Sequence, residues 1–140
     1  MKKISENTKI TLTIGQLKKL VNESKSENLM PKFLANRFEK HGKFHSKEGM
    51  GLNAPVEAIY FFGSYTFLAT EAEQEGDDWT LFGYATIDGS DWEWGYQSLN
   101  ELSNTRGRFG LRIERDMYYK PGSNTVRDCL RRLGIDADSL

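Results

Sequence analysis

The chain has 140 residues, of which 38% are hydrophobic and 28% are charged, and its formal net charge is −1. A chain of this length and composition can bury one hydrophobic core, so we expect a single domain. The one cysteine excludes an intramolecular disulfide, and two histidines are too few to favour a zinc site. The sequence has no signal peptide and no apolar run long enough to cross a membrane, so it predicts a cytoplasmic protein.

Charge is distributed unevenly along the sequence. Residues 1–50 contain eleven basic and five acidic residues, and residues 101–140 contain eight basic and six acidic residues. Residues 51–100 contain nine acidic residues and no Lys or Arg. Such segregation is typical of a binding surface, or of a basic helical layer packed against an acidic sheet. We favour the second, structural interpretation.

The first part of the chain has apolar residues at helical spacing. A short strand is predicted over Lys9–Thr13, and a capping box then begins a helix over Ile14–Ser26. Pro31 suits a first helical turn, and the apolar residues after it predict a second helix that ends near Gly42. Residues 43–53 have mixed polarity and two glycines, which is typical of a loop.

From Pro55 onward the hydrophobic pattern changes from a helical period to alternation, which indicates strands. We expect these strands at residues 56–62, 65–70, 79–87, 91–97 and 111–119. Gly63-Ser64 is a two-residue hairpin turn between the first two of them. Residues 71–78 are expected to form an exposed acidic loop.

Two further capping boxes predict the remaining helices: Ser98 with Glu101, and Thr125 with Asp128. Together the elements predict an α+β fold. We expect a mostly antiparallel sheet of about five strands, with N-terminal helices and a C-terminal helix packed on one face. The single domain spans residues 1–140, with a mainly helical part (1–54), the sheet (55–121) and the C-terminal helix (122–140).

Several short segments of the sheet region follow the order and spacing of a known family. They are Ala69-Thr70-Glu71, Leu81-Phe82-Gly83, Glu93-Trp94-Gly95-Tyr96, Ser98-Leu99 with Glu101-Leu102, and Ile113-Glu114-Arg115-Asp116-Met117-Tyr118. Through these segments residues 55–121 resemble DUF2958, a bacterial domain family of unknown function. The resemblance implies a setting on plasmids, phages and other mobile elements, and it implies no particular activity. It does not cover the first fifty residues.

The densest acidic segment is Glu71–Asp78, with five carboxylates in eight residues. Its alternating acids are similar to the first half of a calcium loop, but Phe82 stands at the twelfth position, which needs a ligand oxygen. The segment therefore predicts a solvated loop, whose mutual repulsion a basic partner would relieve. The predicted partner-binding residues are Glu73, Glu75, Asp77 and Asp78.

Strand alternation places Arg115 on the face of the predicted sheet that meets the core. A buried guanidinium needs a carboxylate, because an unpaired buried charge is costly. Glu71 continues the register of Tyr65, Phe67 and Ala69. We therefore expect a structural ion pair between Glu71 and Arg115.

Trp92, Trp94 and Tyr96 alternate with other residues along one predicted strand. We interpret them as core residues, and an exposed Trp at this place would favour a binding surface instead. Cys129 lies on the apolar stripe of the last helix and is interpreted as an inert core thiol.

The sequence contains no Gly-rich phosphate loop, no nucleophile elbow and no His-paired nucleophile. We therefore expect a non-enzymatic accessory protein of a mobile element, with no cofactor and no metal, in a bacterial host cell. It would bind a host or element-encoded protein and not a membrane. The sharpest version of this hypothesis is an inhibitor of a host-defence or DNA-processing nuclease, of the anti-CRISPR or anti-restriction type.

Two alternatives stay open. A hydrolase could hold a metal ion with clustered carboxylates, and the candidates for that site are Glu71, Glu93, Glu114 and Asp116. Nucleic acid could bind weakly to basic ridges on two helices, although a solvated helix face is the simpler interpretation. These ridges are Lys32, Asn36, Lys40 and Lys43 on one helix, and Arg127, Arg131 and Arg132 on the other.

Overall fold

The structure is a computed structural model that describes residues 13–14, 29–106 and 110–140. The strand predicted at Lys9–Thr13 and the helix predicted at Ile14–Ser26 lie outside the described residues, apart from Thr13 and Ile14. The described ranges contain three α-helices: α1 (Lys32–His41), α2 (Leu99–Asn104) and α3 (Val126–Arg132). None of the helices in these ranges is long and apolar enough to cross a membrane.

The same ranges contain a five-stranded sheet and a separate two-stranded pair. The strands are β1 (Pro55–Val56), β2 (Ala58–Phe62), β3 (Tyr65–Glu75), β4 (Asp78–Thr86), β5 (Trp92–Ser98), β6 (Glu114–Arg115) and β7 (Asn124–Thr125). The larger sheet has the order β5-β4-β3-β2-β6 with antiparallel pairing throughout, and β1 pairs with β7. The predicted α+β fold with a five-stranded antiparallel sheet is confirmed.

Helix and turn boundaries follow local signals in the sequence. α1 begins directly after Pro31 and ends at Gly42, whose N–H donates to the carbonyl oxygen of Phe38 (2.8 Å). α3 begins with a complete capping box, in which Thr125 and Asp128 each accept the other's backbone N–H. The hydrogen bond from the Thr125 N–H to the Asp128 carboxylate holds the pKa of that carboxyl below its usual value.

Helices cover both faces of the sheet. α1 and α2 pack against the face that carries Phe67, whereas α3 packs against the opposite face, which carries Leu68. This arrangement is contrary to the expectation that the N-terminal and C-terminal helices share one face. Neighbouring residues of a strand point to opposite sides, so two large apolar residues in succession require a cover on each side.

The predicted acidic loop at 71–78 is wrong, because this segment consists of the last part of β3, the turn and the first residue of β4. β3 continues through Glu75, and the turn consists only of Gly76 and Asp77. A β-bulge at Thr70 shifts the register between Ala69 and Glu71. The extra residue reverses which side chains face each side of the sheet from that point onward.

The predicted fifth strand at 111–119 pairs with β2 only at Glu114 and Arg115. The chain then leaves the sheet, and the hydroxyl of Tyr119 donates to the carbonyl oxygen of Val56 (2.7 Å). Burial raises the pKa of Tyr119 to about 12, so the hydroxyl stays protonated and able to donate. This bond ties the segment after β6 to β1.

Candidate functional site

One face of the β4–β5 hairpin carries a row of aromatic side chains, which we call the aromatic face: Phe82, Tyr84, Trp92, Trp94 and Tyr96. Alternation along both strands brings these residues to the same side. The rings of Phe82 and Trp94 are stacked with their centroids 5.7 Å apart, and those of Phe82 and Tyr96 are 4.9 Å apart. The hairpin therefore presents a continuous, mutually packed set of rings.

The outer part of the aromatic face is exposed. The hydrophobic core between α3 and the sheet includes Tyr84. Trp92 packs against this core and is partly buried. Trp94 is 39% exposed and Tyr96 is 62% exposed. The interpretation of Trp94 and Tyr96 as core residues is therefore wrong, because α3 is short and covers only the part of this face nearest Leu68.

The loop 43–50 lies over the aromatic face and is held there by carboxylates of β3. Glu71 accepts hydrogen bonds from the backbone N–H groups of His45 (3.0 Å) and Lys47 (2.9 Å). Glu73 accepts another from the N–H of Phe44 (2.8 Å). Phe44 in turn places its ring edge-on to Tyr96, with centroids 5.6 Å apart. The alternating acids of β3 thus position a distant segment of the chain.

A buried charge network lies directly behind this loop. The ammonium of Lys47 donates to Glu57 Oε1 (3.2 Å) and to the carbonyl oxygen of Thr70 (3.0 Å). Arg37 Nε donates to the other oxygen of Glu57 (2.7 Å), and this hydrogen bond raises the pKa of Arg37. Glu57 is only 1% exposed, so these partners are needed to offset its desolvation.

Sequence reasoning missed both Glu57 and Lys47. The usable signal was Glu57 itself, since it is the one charged residue within an otherwise apolar strand segment, 54–62. A carboxylate at such a position needs a cation from elsewhere in the fold. The sequence does not predict which cation this is, because Lys47 lies in a loop that has no regular hydrophobic pattern.

A groove of about 300 Å³ lies between the loop and the aromatic face. Its lining includes Thr70 and Glu71 of β3, the rings of Phe82, Trp94 and Tyr96, and loop residues between 45 and 51. Glu71 is 5% exposed and is the most buried carboxylate of the lining. The groove is therefore lined by both stacked rings and a buried carboxylate.

A larger concavity of about 610 Å³ lies at the other edge of the sheet, beside β6. Residues 112–118 form most of its lining, and basic and acidic residues alternate there. Among the described residues of its lining there are neither stacked rings nor a buried carboxylate. We therefore regard the smaller groove as the better functional candidate.

The four acidic residues predicted to bind a partner fall into two groups. Glu73 and Asp78 are engaged within the protein: Asp78 accepts hydrogen bonds from the N–H of Asn100 (2.9 Å) and from the hydroxyl of Ser98, at the start of α2. Glu75 and Asp77 are exposed at the hairpin tip. A role of these residues in partner binding stays a prediction.

The predicted ion pair between Glu71 and Arg115 is not formed. The bulge at Thr70 turns Glu71 to the aromatic face, where it binds the loop 43–50. Arg115 pairs in register with Tyr60 on the other side of β2, and its guanidinium lies over the ring of Phe33, 5.6 Å from the centroid. One extra residue in β3 is the physical reason for the difference.

The carboxylates proposed for a hydrolase do not come together. Glu71 faces the aromatic side of the sheet, Glu93 faces the opposite side, and Glu114 lies on β6. Within the described ranges no group of three or more His, Cys, Asp or Glu side chains is placed to hold a metal ion.

Two arginines of the basic ridge on the last helix have acidic neighbours, and Cys129 lies in the core. Arg127 pairs with Asp138 (2.8 Å), and Arg131 lies 3.7 Å from Asp128. Cys129 is buried in the core under α3, and this burial raises the pKa of its thiol to about 11, which keeps it protonated and unreactive.

A comparison with protein-family models matches residues 29–127 to DUF2958, described as a protein of unknown function. Comparison with curated proteins gave no match. Comparison with solved structures gave none either. The match includes α1, all strands of the five-stranded sheet and every residue that lines the groove. It covers more than half of the sequence, and the chain therefore belongs to the DUF2958 family.

Proposed function

We propose that this protein is a non-enzymatic binding protein of a mobile genetic element, and that it recognises a macromolecular partner through the aromatic face. The observation that carries this proposal is the exposure of Trp94 and Tyr96 on a rigid sheet. Large aromatic side chains supply much of the binding energy of protein interfaces, and they lose little conformational entropy on binding. An exposed cluster of them on a folded domain is typical of an interaction surface.

Charge favours a basic protein as the partner. Residues 51–100 supply the strands β1 to β5 and contain nine acidic residues with no Lys or Arg. Glu57 and Glu71 are buried, but exposed acids such as Glu75 and Asp77 repel nucleic acid phosphates and attract cationic protein surfaces. The hairpin tip with Glu75 and Asp77 lies about 16 Å along β4 from Phe82, within the span of one ordinary interface.

A nuclease of host defence or DNA processing meets this requirement, because its nucleic-acid channel is basic. The mobile-element setting implied by the family resemblance supports the same class of partner. We therefore propose inhibition of such a protein, of the anti-CRISPR or anti-restriction type, as the specific role. The metal-dependent hydrolase has no support from the arrangement of carboxylates in the described residues.

Retention of partner proteins from a bacterial host lysate tests the aromatic face. We expect the wild-type protein to retain specific proteins and the double variant Trp94→Ala/Tyr96→Ala to lose them. Tyr118→Ala is the matched control, since Tyr118 is 98% exposed but lies outside the aromatic face. Retention of the same proteins by the wild type and both variants, or of none by the wild type at low salt, would contradict the proposal.

Two further variants separate the acidic tip from the structural acids. Glu75→Ser/Asp77→Ser should leave the melting temperature nearly unchanged, because both side chains are exposed. It should slow association with a captured partner, since surface charges act mainly on the association rate. Asp78→Ser should lower the melting temperature, because it removes acceptors at the start of α2. Thermal denaturation and surface plasmon resonance measure these effects, and an unchanged association rate would show that the tip is only a solvated turn.

A further inference from the structure

The groove beside the aromatic face has the features of a receptor for one cationic side chain. Its volume of about 300 Å³ is at the lower end for ligand pockets, which fits a single long side chain better than a cofactor. Trp94 and Tyr96 line it and are exposed, so a ligand can reach their rings without rearrangement of the sheet. Aromatic faces attract cations through the ring quadrupole, most strongly for Trp.

The electrostatics of the groove favour a positive ligand. Its lining includes the carboxylates Glu48 and Glu71 and the cation Lys47, and Lys47 in turn binds the carboxylate of Glu57 together with Arg37. Both cations are bound to Glu57. Glu71 instead accepts hydrogen bonds from neutral backbone N–H groups, so the described residues around the groove carry a negative formal charge. A bound cation would be attracted, and an anion would be repelled.

Between the two cationic side chains, arginine fits this chemistry better than lysine. The guanidinium is planar, so it can stack on an aromatic ring while its N–H groups point toward a carboxylate at the edge. It also loses less hydration than an ammonium when it enters a partly buried site. The groove offers both elements, the rings of Trp94 and Tyr96 and the carboxylate of Glu71.

We propose that the groove between the loop 43–50 and the aromatic face binds an arginine side chain of the partner protein. This inference rests on the proposed function, because it names the chemistry by which the aromatic face recognises its partner. The loop is part of the site, because His45 and Lys47 line the groove beside the rings and their backbone N–H groups donate to Glu71. The arginine acts as the anchor around which the rest of the interface is arranged.

The test uses the short peptide acetyl-Gly-Arg-Gly-amide and two analogues with citrulline or lysine in place of arginine. Citrulline has nearly the same shape as arginine but no charge. We expect the arginine peptide to shift the indole N–H resonance of Trp94 in NMR titrations with a millimolar dissociation constant. The citrulline and lysine peptides should bind at least tenfold more weakly. Trp79 is the internal control, because its ring is buried in the core on the opposite face of the sheet.

Three variants test the location of the site. Trp94→Leu should abolish the NMR shifts that the arginine peptide causes in the ring resonances of Tyr96. Tyr118→Leu should bind the arginine peptide like the wild type. Glu48→Gln removes an exposed carboxylate of the lining and should weaken binding severalfold without loss of the fold. Equal affinity for the citrulline or the lysine peptide would overturn the inference.

The inference and the proposed function fail separately. Absence of any arginine-dependent shift, together with retention of host proteins that needs Trp94 and Tyr96, would overturn only the arginine site. The aromatic face would then bind its partner through apolar contacts. Arginine-dependent shifts without any retained protein would support the groove and contradict the proposed partner.

Discussion

Replacing Gly83 with Ala should lower the free energy of unfolding by about 3 kcal/mol or more. Gly83 lies in the middle of β4, and a Cβ atom at this position would overlap the carbonyl oxygen of Leu68 and lie 2.8 Å from its carbonyl carbon. Both of these atoms belong to the backbone of β3, so no side chain can rotate away to make room. The added methyl group must therefore push apart β3 and β4, the longest strand pair of the sheet.

Gly95→Ala is the matched control for this prediction. Gly95 is paired directly with Gly83 on the neighbouring strand β5, but a Cβ there would meet no atom within 4 Å. We expect this variant to be neutral or slightly stabilising, because Ala restricts the unfolded chain more than Gly does. Urea unfolding followed by circular dichroism measures both variants. Similar losses for Gly83→Ala and Gly95→Ala would show that the close approach of β3 to β4 does not limit stability.

Replacing Glu57 with Gln should lower the free energy of unfolding by about 3 to 5 kcal/mol. The substitution keeps the shape of the side chain and removes its charge, so the ammonium of Lys47 loses its carboxylate partner in a buried position. Arg37 contributes less to the loss, because its side chain is 38% exposed and water can solvate it. The charge of Lys47 is the main cause, since that side chain is only 9% exposed.

A double-mutant cycle tests this explanation. Lys47→Met removes the ammonium but keeps an unbranched side chain in its place. If the buried pair is the cause, Glu57→Gln/Lys47→Met should be more stable than the sum of the two single losses predicts. If a single variant fails to fold but the double variant folds, this result also supports the buried pair as the cause. Strictly additive losses would show that Glu57 and Lys47 stabilise the protein independently of each other.

The sequence alone determined the helix starts and turns, because these depend on interactions between residues that are close in the chain. Pro31 and the apolar spacing after it located α1, and the capping boxes at Ser98 and Thr125 located the starts of α2 and α3. Gly63-Ser64 located the first hairpin, where Gly63 adopts φ +53°. These signals act over a few residues, since they arise from helix ends and turn geometry. Alternation then sufficed for the class of the fold, an antiparallel sheet with helices.

Only the tertiary structure decided the arrangement of the candidate site. The bulge at Thr70 adds one residue to β3 and moves Glu71 from the side of Arg115 to the side of Trp94. Side chains along a strand alternate between two faces, so a one-residue shift moves every later side chain to the other face. No local sequence pattern predicts this bulge. The exposure of Trp94 depends likewise on where α3 ends in space. The loop 43–50 meets β3 across more than twenty residues of sequence, through hydrogen bonds that form only in the folded chain.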